Sequence, residues 1–186
     1  RLGLNERPTN VHELQASAAI GQAGLIQSYE SLFAKHQTKI AQILLVHEDL
    51  SSRTRYLNAR KTIHTLLEFG VVPIVNENDT VATEEIKYGD NDRLAARVAQ
   101  IIGADTLIIL SDVDGLYDKS KSKKIIKTVS KIDSNINALI DNKKNSYGSG
   151  GISTKLDAAK ICINAGCHMF IGNGKKTRFE YCNKEA

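Results

Sequence analysis

The chain has 186 residues, of which 41% are hydrophobic and 25% are charged, as in ordinary soluble globular proteins. That length suits one domain with a sizeable core, and no apolar run is long enough to cross a membrane. The formal net charge of +4 is too small to indicate a nucleic-acid partner by itself.

The cysteines and histidines do not form the patterns of metal or catalytic sites. Cys162, Cys167 and Cys182 are odd in number and lack the CxxC spacing of zinc ligands, which predicts reduced thiols in a cytoplasmic protein. The five histidines are scattered. The lysine-rich residues 119–131 are interrupted by other types and are typical of a solvated loop or strand edge, so we predict neither a nucleic-acid nor a membrane partner. The only methionine is Met169, and we expect the chain to be a piece of a longer protein.

The first third of the chain alternates between helical and strand patterns. Pro8-Thr9-Asn10 is a plausible helix start, and residues 11–33 follow a helical rhythm. Gly21 and Gly24 each cost that helix about 1 kcal/mol relative to Ala, so we expect close packing against another element. Residues 40–46 predict a strand, residues 47–54 are a polar stretch, and the next helix is predicted to end at a left-handed Gly70.

Two polar clusters flank the middle of the chain. Residues 71–75 are apolar and, apart from Pro73, β-branched, as in a buried strand, and they lead directly into Asn76-Glu77-Asn78-Asp79. The second cluster, residues 89–92, precedes a helix predicted over 93–102, with Asn91 or Asp92 as its N-cap and Gly103 as its stop. Because ligands bind outside the carboxyl ends of strands in open α/β sheets, we expect the clusters to face one polar crevice.

The side chains of these clusters permit more than one chemistry. They can hold the amino and carboxylate groups of a small zwitterion, bind Mg²⁺ with nucleotide phosphates, or orient lysines. Asn78 and Asp90 are interpreted as turn or cap residues. The candidates for function are Asn76, Asp79, Asn91 and Asp92.

A second group of signals follows. Residues 106–110 are predicted to form a buried strand, which is followed by the polar residues Ser111-Asp112. A short strand is predicted over 125–129 and a last strand over 168–171. The glycine-rich residues 147–151 precede a helix over 153–164. From the residues alone, this turn fits an anion site at a helix N-terminus and a flexible loop with a surface lysine equally well. As an anion site, it would border a crevice beside the end of the strand that can admit a nucleotide. Ile152, Leu156, Ala159 and Ile163 are predicted to share the buried face of this helix, leaving Ser153, Thr154 and Lys155 free near its first turn.

Strands that alternate with helices predict an α/β fold. The expected architecture is a three-layer αβα sandwich with a mostly parallel central sheet.

Three segments carry a family resemblance: NENDTVATEEIKYGDND at 76–92, LSDVDGLY at 110–117 and GSGGISTK at 148–155. In this order and spacing they resemble the amino-acid kinase superfamily, and NEND followed by GDND resembles its glutamate-phosphorylating branch. The resemblance implies ATP- and Mg²⁺-dependent phosphorylation of the γ-carboxylate of L-glutamate, the first step of proline biosynthesis. It further implies a homo-oligomer, dimer or tetramer, and proline as a feedback inhibitor.

The resemblance also implies roles for single residues. Asp79 and Asn91 would contact glutamate with Asn76 nearby, while Asp92 and Lys155 would be catalytic. No metal-binding residue is implied. The residues implied for ATP are Ser111, Asp112, Ser149, Gly150, Gly151, Ile152, Ser153, Thr154 and Lys155.

The superfamily pattern begins with a strand that carries Lys-x-Gly-Ser/Thr, followed later by a Ser-Gly-Ala turn, and this sequence has neither. We therefore expect residues 1–186 to be a single, partial amino-acid kinase domain that lacks the first strands, with no PUA domain. The isolated chain is predicted to be inactive or nearly so.

Two alternatives remain at this point. One is another enzyme of the superfamily, acting on carbamate, aspartate or a nucleoside monophosphate. The other is a non-catalytic module that senses a nucleotide or amino acid, although such a module would not need Lys155 or Asp92.

Overall fold

The computed structural model describes residues 8, 10–81, 91–118, 124–134, 136 and 151–175. It divides into two compact units, Arg1–Leu94 and Ala95–Ala186. Each unit combines helices with a pair of parallel strands, which confirms the predicted α/β class.

The first unit is built around one parallel strand pair. β1 and β2 run in register from Lys39 opposite Val71 to Leu45 opposite Glu77. Parallel strands need a crossover, and α2 with α3 supplies it. The elements of this unit are α1 (Val11–Ala34), β1 (Lys39–Leu45), α2 (His47–Ser51), α3 (Arg53–Glu68), β2 (Val71–Glu77), a 3-10 turn (Asp79–Val81) and the start of α4 (Asn91–Ile102).

Helix α1 begins as predicted but packs differently. The side chain of Asn10 caps it by accepting a hydrogen bond from the backbone N–H of His12 at 2.9 Å. The predicted close packing at Gly21 and Gly24 is wrong for the described residues, because a methyl group added at either glycine would meet no heavy atom within 4 Å. The helix nevertheless contacts β1 and the 3-10 turn through a half-buried stripe.

Several boundaries in the first unit differ from those predicted, and β1, at Lys39–Leu45, lies one residue earlier than the predicted 40–46 at both ends. Residues 47–51 of the polar stretch form α2, whose N-terminus is closed by Asp49 accepting from the Val46 N–H at 2.9 Å. Strand β2 continues two residues beyond the apolar run, because Asn76 and Glu77 still pair with β1. Asn91 and Asp92 lie inside α4 and not at its N-cap.

The described residues of the second unit contain two strand pairs. β3 and β6 are parallel, from Thr106 opposite His168 to Ser111 opposite Asn173, and β4 and β5 are antiparallel. Besides the rest of α4, its elements are β3 (Thr106–Ser111), β4 (Tyr117–Asp118), β5 (Lys124–Ile125), α5 (Ile152–Asn164) and β6 (His168–Asn173). The strand predicted over 125–129 is therefore wrong beyond Ile125, and the last strand is two residues longer than predicted.

Small side chains let the helices of this unit lie close to its sheet. The buried cluster consists of Ala96, Ala99, Ile109, Ala158, Cys162 and Cys167, drawn from α4, β3, α5 and the turn before β6. Glycines end the helices as predicted, since Gly70, Gly103 and Gly166 have φ of 70°, 67° and 71°.

The predicted buried face of α5 is wrong in part. Leu156 is buried, but Ile163 is 50% exposed, and the helix turns its Ala158 and Cys162 inward instead. That rotation also buries Thr154 and Lys155, at 8% and 6% exposure, where the sequence predicted free side chains. Among the helices in the described part of the chain, none has the length and apolar content needed to cross a membrane.

Candidate functional site

Asn76 lies near the carboxyl end of β2, opposite Leu44 of β1. Its side-chain Nδ2 donates a hydrogen bond to Oε1 of Gln22 on α1, at 2.9 Å. The sequence analysis predicts no site role for Gln22, which is one of several polar residues in a helical pattern. This contact orients a predicted site residue from a second element.

The chain turns sharply after β2. The backbone N–H of Asn78 donates to the carbonyl of Leu45 at 2.8 Å, and the Thr80 hydroxyl donates to the side-chain oxygen of Asn78. Asn78 is thus a turn residue, as interpreted from the sequence. The turn places Asp79 at the start of the 3-10 segment that α1 covers.

Asp79 is half-buried, and desolvation by burial raises the pKa of its carboxyl above the usual value. A carboxylate in such a place has lost part of its hydration. An ammonium group that binds there restores the lost solvation and pairs with the charge, which makes the position suited to an amino group.

Asn91 and Asp92 form the first turn of α4. Asn91 is exposed and Asp92 is half-buried. Asp92 is the acidic residue of this first turn, where a negative side chain complements the helix dipole. Residues 82–90, which include Gly89 and Asp90 of the second cluster, lie outside the described residues, so the crevice shared by the two clusters stays a prediction.

The second group of predicted residues lies at the carboxyl edge of β3 and β6. Ser111 and Asn173 end the two strands as register partners. The Asn173 amide donates to the backbone carbonyl of Asp112 at 3.4 Å, and the N–H of Gly174 donates to the carbonyl of Ser111 at 2.8 Å. The sequence does not indicate Asn173, because the predicted strand ends at the last apolar residue, Ile171, whereas β6 continues to Asn173.

Helix α5 packs against β6. Its 13 residues rise about 20 Å, close to the length of a six-residue strand, and it leads directly into β6. A helix that returns antiparallel to the strand after it therefore starts near the level of that strand's carboxyl end. Gly151 is its N-cap, and the Thr154 hydroxyl donates to the Gly151 carbonyl at 2.8 Å.

Within the described residues, the first turn of α5 has two features of an anion site, namely the backbone N–H groups at a helix N-terminus and a nearby lysine. Its N–H groups and dipole point positive charge outward, and Lys155 adds a full charge one turn inside. Lys155 is 6% exposed, and its charge and the helix dipole both favour an anion at this end of the helix. Ile152 is half-buried and Ser153 is exposed, whereas Ser149 and Gly150 lie outside the described residues.

A separate pocket of about 280 Å³ lies between β1 and α3, and it contains none of the predicted site residues. Asp49 and Arg55 on its wall form an ion pair at 2.9 Å. Since Asp49 also closes the start of α2, these charges have a structural explanation.

Comparison with known proteins gives one family and many relatives. Residues 1–173 match the model of the amino acid kinase family. The chain is 50% identical over 182 residues to a glutamate 5-kinase of Pseudomonas savastanoi pv. phaseolicola, which covers 96% of this chain and 50% of that protein. It is 50% identical over 182 residues, with the same coverage, to the glutamate 5-kinase of Pelagibacter ubique. For that of Hydrogenovibrio crunogenus the identity is 49% over 180 residues, covering 95% of this chain and 48% of that protein. The chain thus spans about half the length of the curated relatives it matches.

Proposed function

Because the chain belongs to the amino acid kinase family, we propose that the protein carrying it transfers the γ-phosphoryl group of ATP to the γ-carboxylate of L-glutamate. The single observation that carries this proposal is the identity of about half of all positions to proteins named glutamate 5-kinase, over 96% of the chain. The family match also supports the αβα sandwich fold predicted from the sequence.

The first unit holds the residues proposed for glutamate. Asp79 pairs with the α-ammonium, which the desolvation of its carboxyl supports. Asn91 and Asn76 contribute amides, whose N–H groups can donate to a carboxylate and whose carbonyls can accept from an ammonium.

The second unit holds the residues proposed for ATP. The phosphates lie on the N-terminal turn of α5, where backbone N–H groups and Lys155 supply positive charge. The rest of the nucleotide lies along the carboxyl edge of β3. The proposed set is Ser111, Asp112, Ser149, Gly150, Gly151, Ile152, Ser153, Thr154 and Lys155.

Phosphoryl transfer requires the protein to position the two substrates and to stabilise the charge on the transferring phosphoryl group. A carboxylate oxygen of glutamate forms the new bond to the γ-phosphorus while the bond to the β–γ bridging oxygen breaks, and ADP leaves. Lys155 offsets the charge on the transferring group, and Asp92 orients the catalytic cations. No general base is needed, since a side-chain carboxyl is already ionised at neutral pH.

Mg²⁺ fits this scheme as a partner of the phosphates. Within the described ranges, no three His, Cys, Asp or Glu side chains converge as a metal site. Mg²⁺ commonly binds through one or two carboxylates together with substrate phosphates, so a dedicated protein cage is not required. Asp112, which directly follows β3, would supply one such carboxylate. When bound, the ion neutralises phosphate charge.

The same proposal includes the location, oligomeric state and regulation of the enzyme. It would act in the cytoplasm, catalyse the first step of proline biosynthesis, form a homo-oligomer and respond to proline as a feedback inhibitor. The exposed apolar residues Ile20, Leu25 and Leu32 on α1 support association with another copy through that helix. Residues 1–186 would be part of a single kinase domain.

A substrate assay tests the reaction directly. The natural gene product that carries these residues is incubated with Mg-ATP and L-glutamate, ADP release is followed, and the acyl phosphate is trapped with hydroxylamine as the hydroxamate. L-Aspartate, carbamate and nucleoside monophosphates are tried as acceptors in parallel. Turnover with L-glutamate and with none of the other acceptors supports the proposal. A higher turnover with another acceptor would identify that acceptor as the substrate instead.

A further inference from the structure

We propose that Gln22 is a positioning residue for the glutamate site, acting through the amide of Asn76. Its side-chain carbonyl holds Nδ2 of Asn76 and thereby leaves Oδ1 of Asn76 to accept a hydrogen bond from the ammonium group of the substrate. This inference rests on the proposed function and adds a residue, on a different element, to its substrate half-site.

The contact joins two distant parts of the first unit. Gln22 and Asn76 are 54 positions apart in sequence, and their side chains meet at 2.9 Å in a half-buried environment. Helix α1 also packs against the Asp79–Val81 turn, so the helix that carries Gln22 borders both predicted glutamate contacts at the end of β2.

Gln22 occupies a position where packing alone would favour an apolar residue. The half-buried positions of α1 recur at helical spacing and include Leu14, Ala18, Gln22, Ile26 and Phe33. A glutamine in such a stripe gives up hydration of its amide, and only a hydrogen-bond partner offsets that loss. Asn76 is that partner.

The amide of Asn76 has two chemically different ends of nearly equal shape. Its terminal torsion is soft, so neighbouring hydrogen bonds decide which end faces a ligand. Leu44, its register partner on β1, has no polar side-chain group that could form a hydrogen bond with the amide and fix its orientation. An acceptor at Gln22 Oε1 takes the N–H side, and the carbonyl side is then turned away from Gln22.

The test compares four variants of the natural gene product in steady-state kinetics. Gln22→Met keeps the length of the side chain and removes the acceptor. Asn76→Ala removes the partner, and the double variant Gln22→Met/Asn76→Ala completes a cycle. Gln27→Met is the matched control, because Gln27 is an exposed residue of the same helix.

We expect Gln22→Met to raise the KM for glutamate by about 3- to 10-fold, the loss typical of one hydrogen bond. The KM for ATP, kcat and Tm should stay near those of the wild type, and Gln27→Met should match the wild type in all four. In the Asn76→Ala background, Gln22→Met should raise the KM for glutamate by less than about a further 2-fold. A residue that acts through another has no effect once that other residue is gone.

Three results would overturn the inference. They are an unchanged KM for glutamate in Gln22→Met, an effect of Gln22→Met that is undiminished in the Asn76→Ala background, and a parallel loss for both substrates with a lowered Tm. If Gln22→Met does not fold, Gln22→Asn, whose shorter side chain withdraws the acceptor, is judged by the same criteria. A wild type without glutamate-dependent turnover instead refutes the proposed function, and this inference with it.

Discussion

The backbone N–H of Asn78 donates to the carbonyl of Leu45 at 2.8 Å, which ties the residue after β2 to the last residue of β1. The next residue, Asp79, lies half-buried in the 3-10 turn that packs against α1. Burial there raises the pKa of the Asp79 carboxyl. The turn thus creates a carboxyl that is costly to ionise without a cationic partner.

The first prediction concerns the effect of Asp79 on stability. Because the pKa is raised in the folded state, folding favours the protonated form. The contribution of this group to stability is fully present below the unfolded-state pKa and is lost as pH rises through the folded-state pKa. Asp79→Asn should therefore increase the free energy of unfolding at pH 7 while weakening glutamate binding.

Urea unfolding of both proteins from pH 3 to pH 8, together with calorimetric titration of glutamate, checks this. The two proteins should converge in stability at the acidic end, where the wild-type carboxyl is protonated. An Asp79→Asn variant that is less stable at neutral pH would show that the carboxylate has a stabilising partner.

The second prediction separates Lys155 from a neighbouring lysine of the same helix. Lys155 is 6% exposed in the first turn of α5, whereas Lys160 pairs with Asp157 at 3.3 Å on the outer side. Lys155→Met should lower kcat by about 100-fold or more, because a preorganised charge on a transferring group is worth that much. Lys160→Met, the matched control, should change kcat by less than about 2-fold, as expected for an exposed ion pair.

Circular dichroism and ATP titration accompany these assays in the natural gene product. A folded Lys155→Met variant that retains its kcat would remove Lys155 from the catalytic machinery. A folded variant with normal kcat and weakened ATP binding would limit its role to the ground state.

Local sequence patterns predicted the features of this fold that depend on neighbouring residues. The β-branched run before Asn76 gives β2, and Gly70, Gly103 and Gly166 stop helices because only glycine adopts their left-handed backbone at low cost. The polar residues of the candidate site were located in the same way, at the ends of apolar runs.

Features that depend on distant residues could not be predicted in this way. The rotation of α5 is set by the small residues Ala158 and Cys162, which fit against the second unit's sheet better than Ile163 does, and this buries Lys155. The hydrogen bond between Gln22 and Asn76 spans 54 positions and has no local signature.

The third prediction contrasts two glycines. Gly166 has φ of 71°, so Gly166→Ala should destabilise the protein by about 1 kcal/mol from backbone strain. Gly24 lies within α1, and a methyl group there meets no heavy atom within 4 Å of the described residues. Gly24→Ala should therefore stabilise the protein by about 0.5–1 kcal/mol, through the reduced entropy of the unfolded chain.

Denaturant unfolding at fixed protein concentration measures both glycine variants, with the oligomeric state followed by light scattering. Loss of stability in Gly24→Ala together with dissociation would place a second copy against that glycine. It would then be the partner surface, and not the chain itself, that supplies the close packing expected from the sequence.

The last prediction concerns the thiols of the second unit. Cys162 is fully buried on α5, and burial, reinforced by the neighbouring Cys167 thiol, raises its pKa to about 11. At pH 8 only about one thiol in a thousand is then ionised, and the thiolate is the reactive form. Native protein incubated with iodoacetamide at pH 8 should leave Cys162 unmodified, while protein in concentrated urea should be modified at an ordinary rate. Peptide mass spectrometry distinguishes this cysteine from the other two, and prompt labelling of Cys162 in the native protein would mean that α5 separates from its sheet under native conditions.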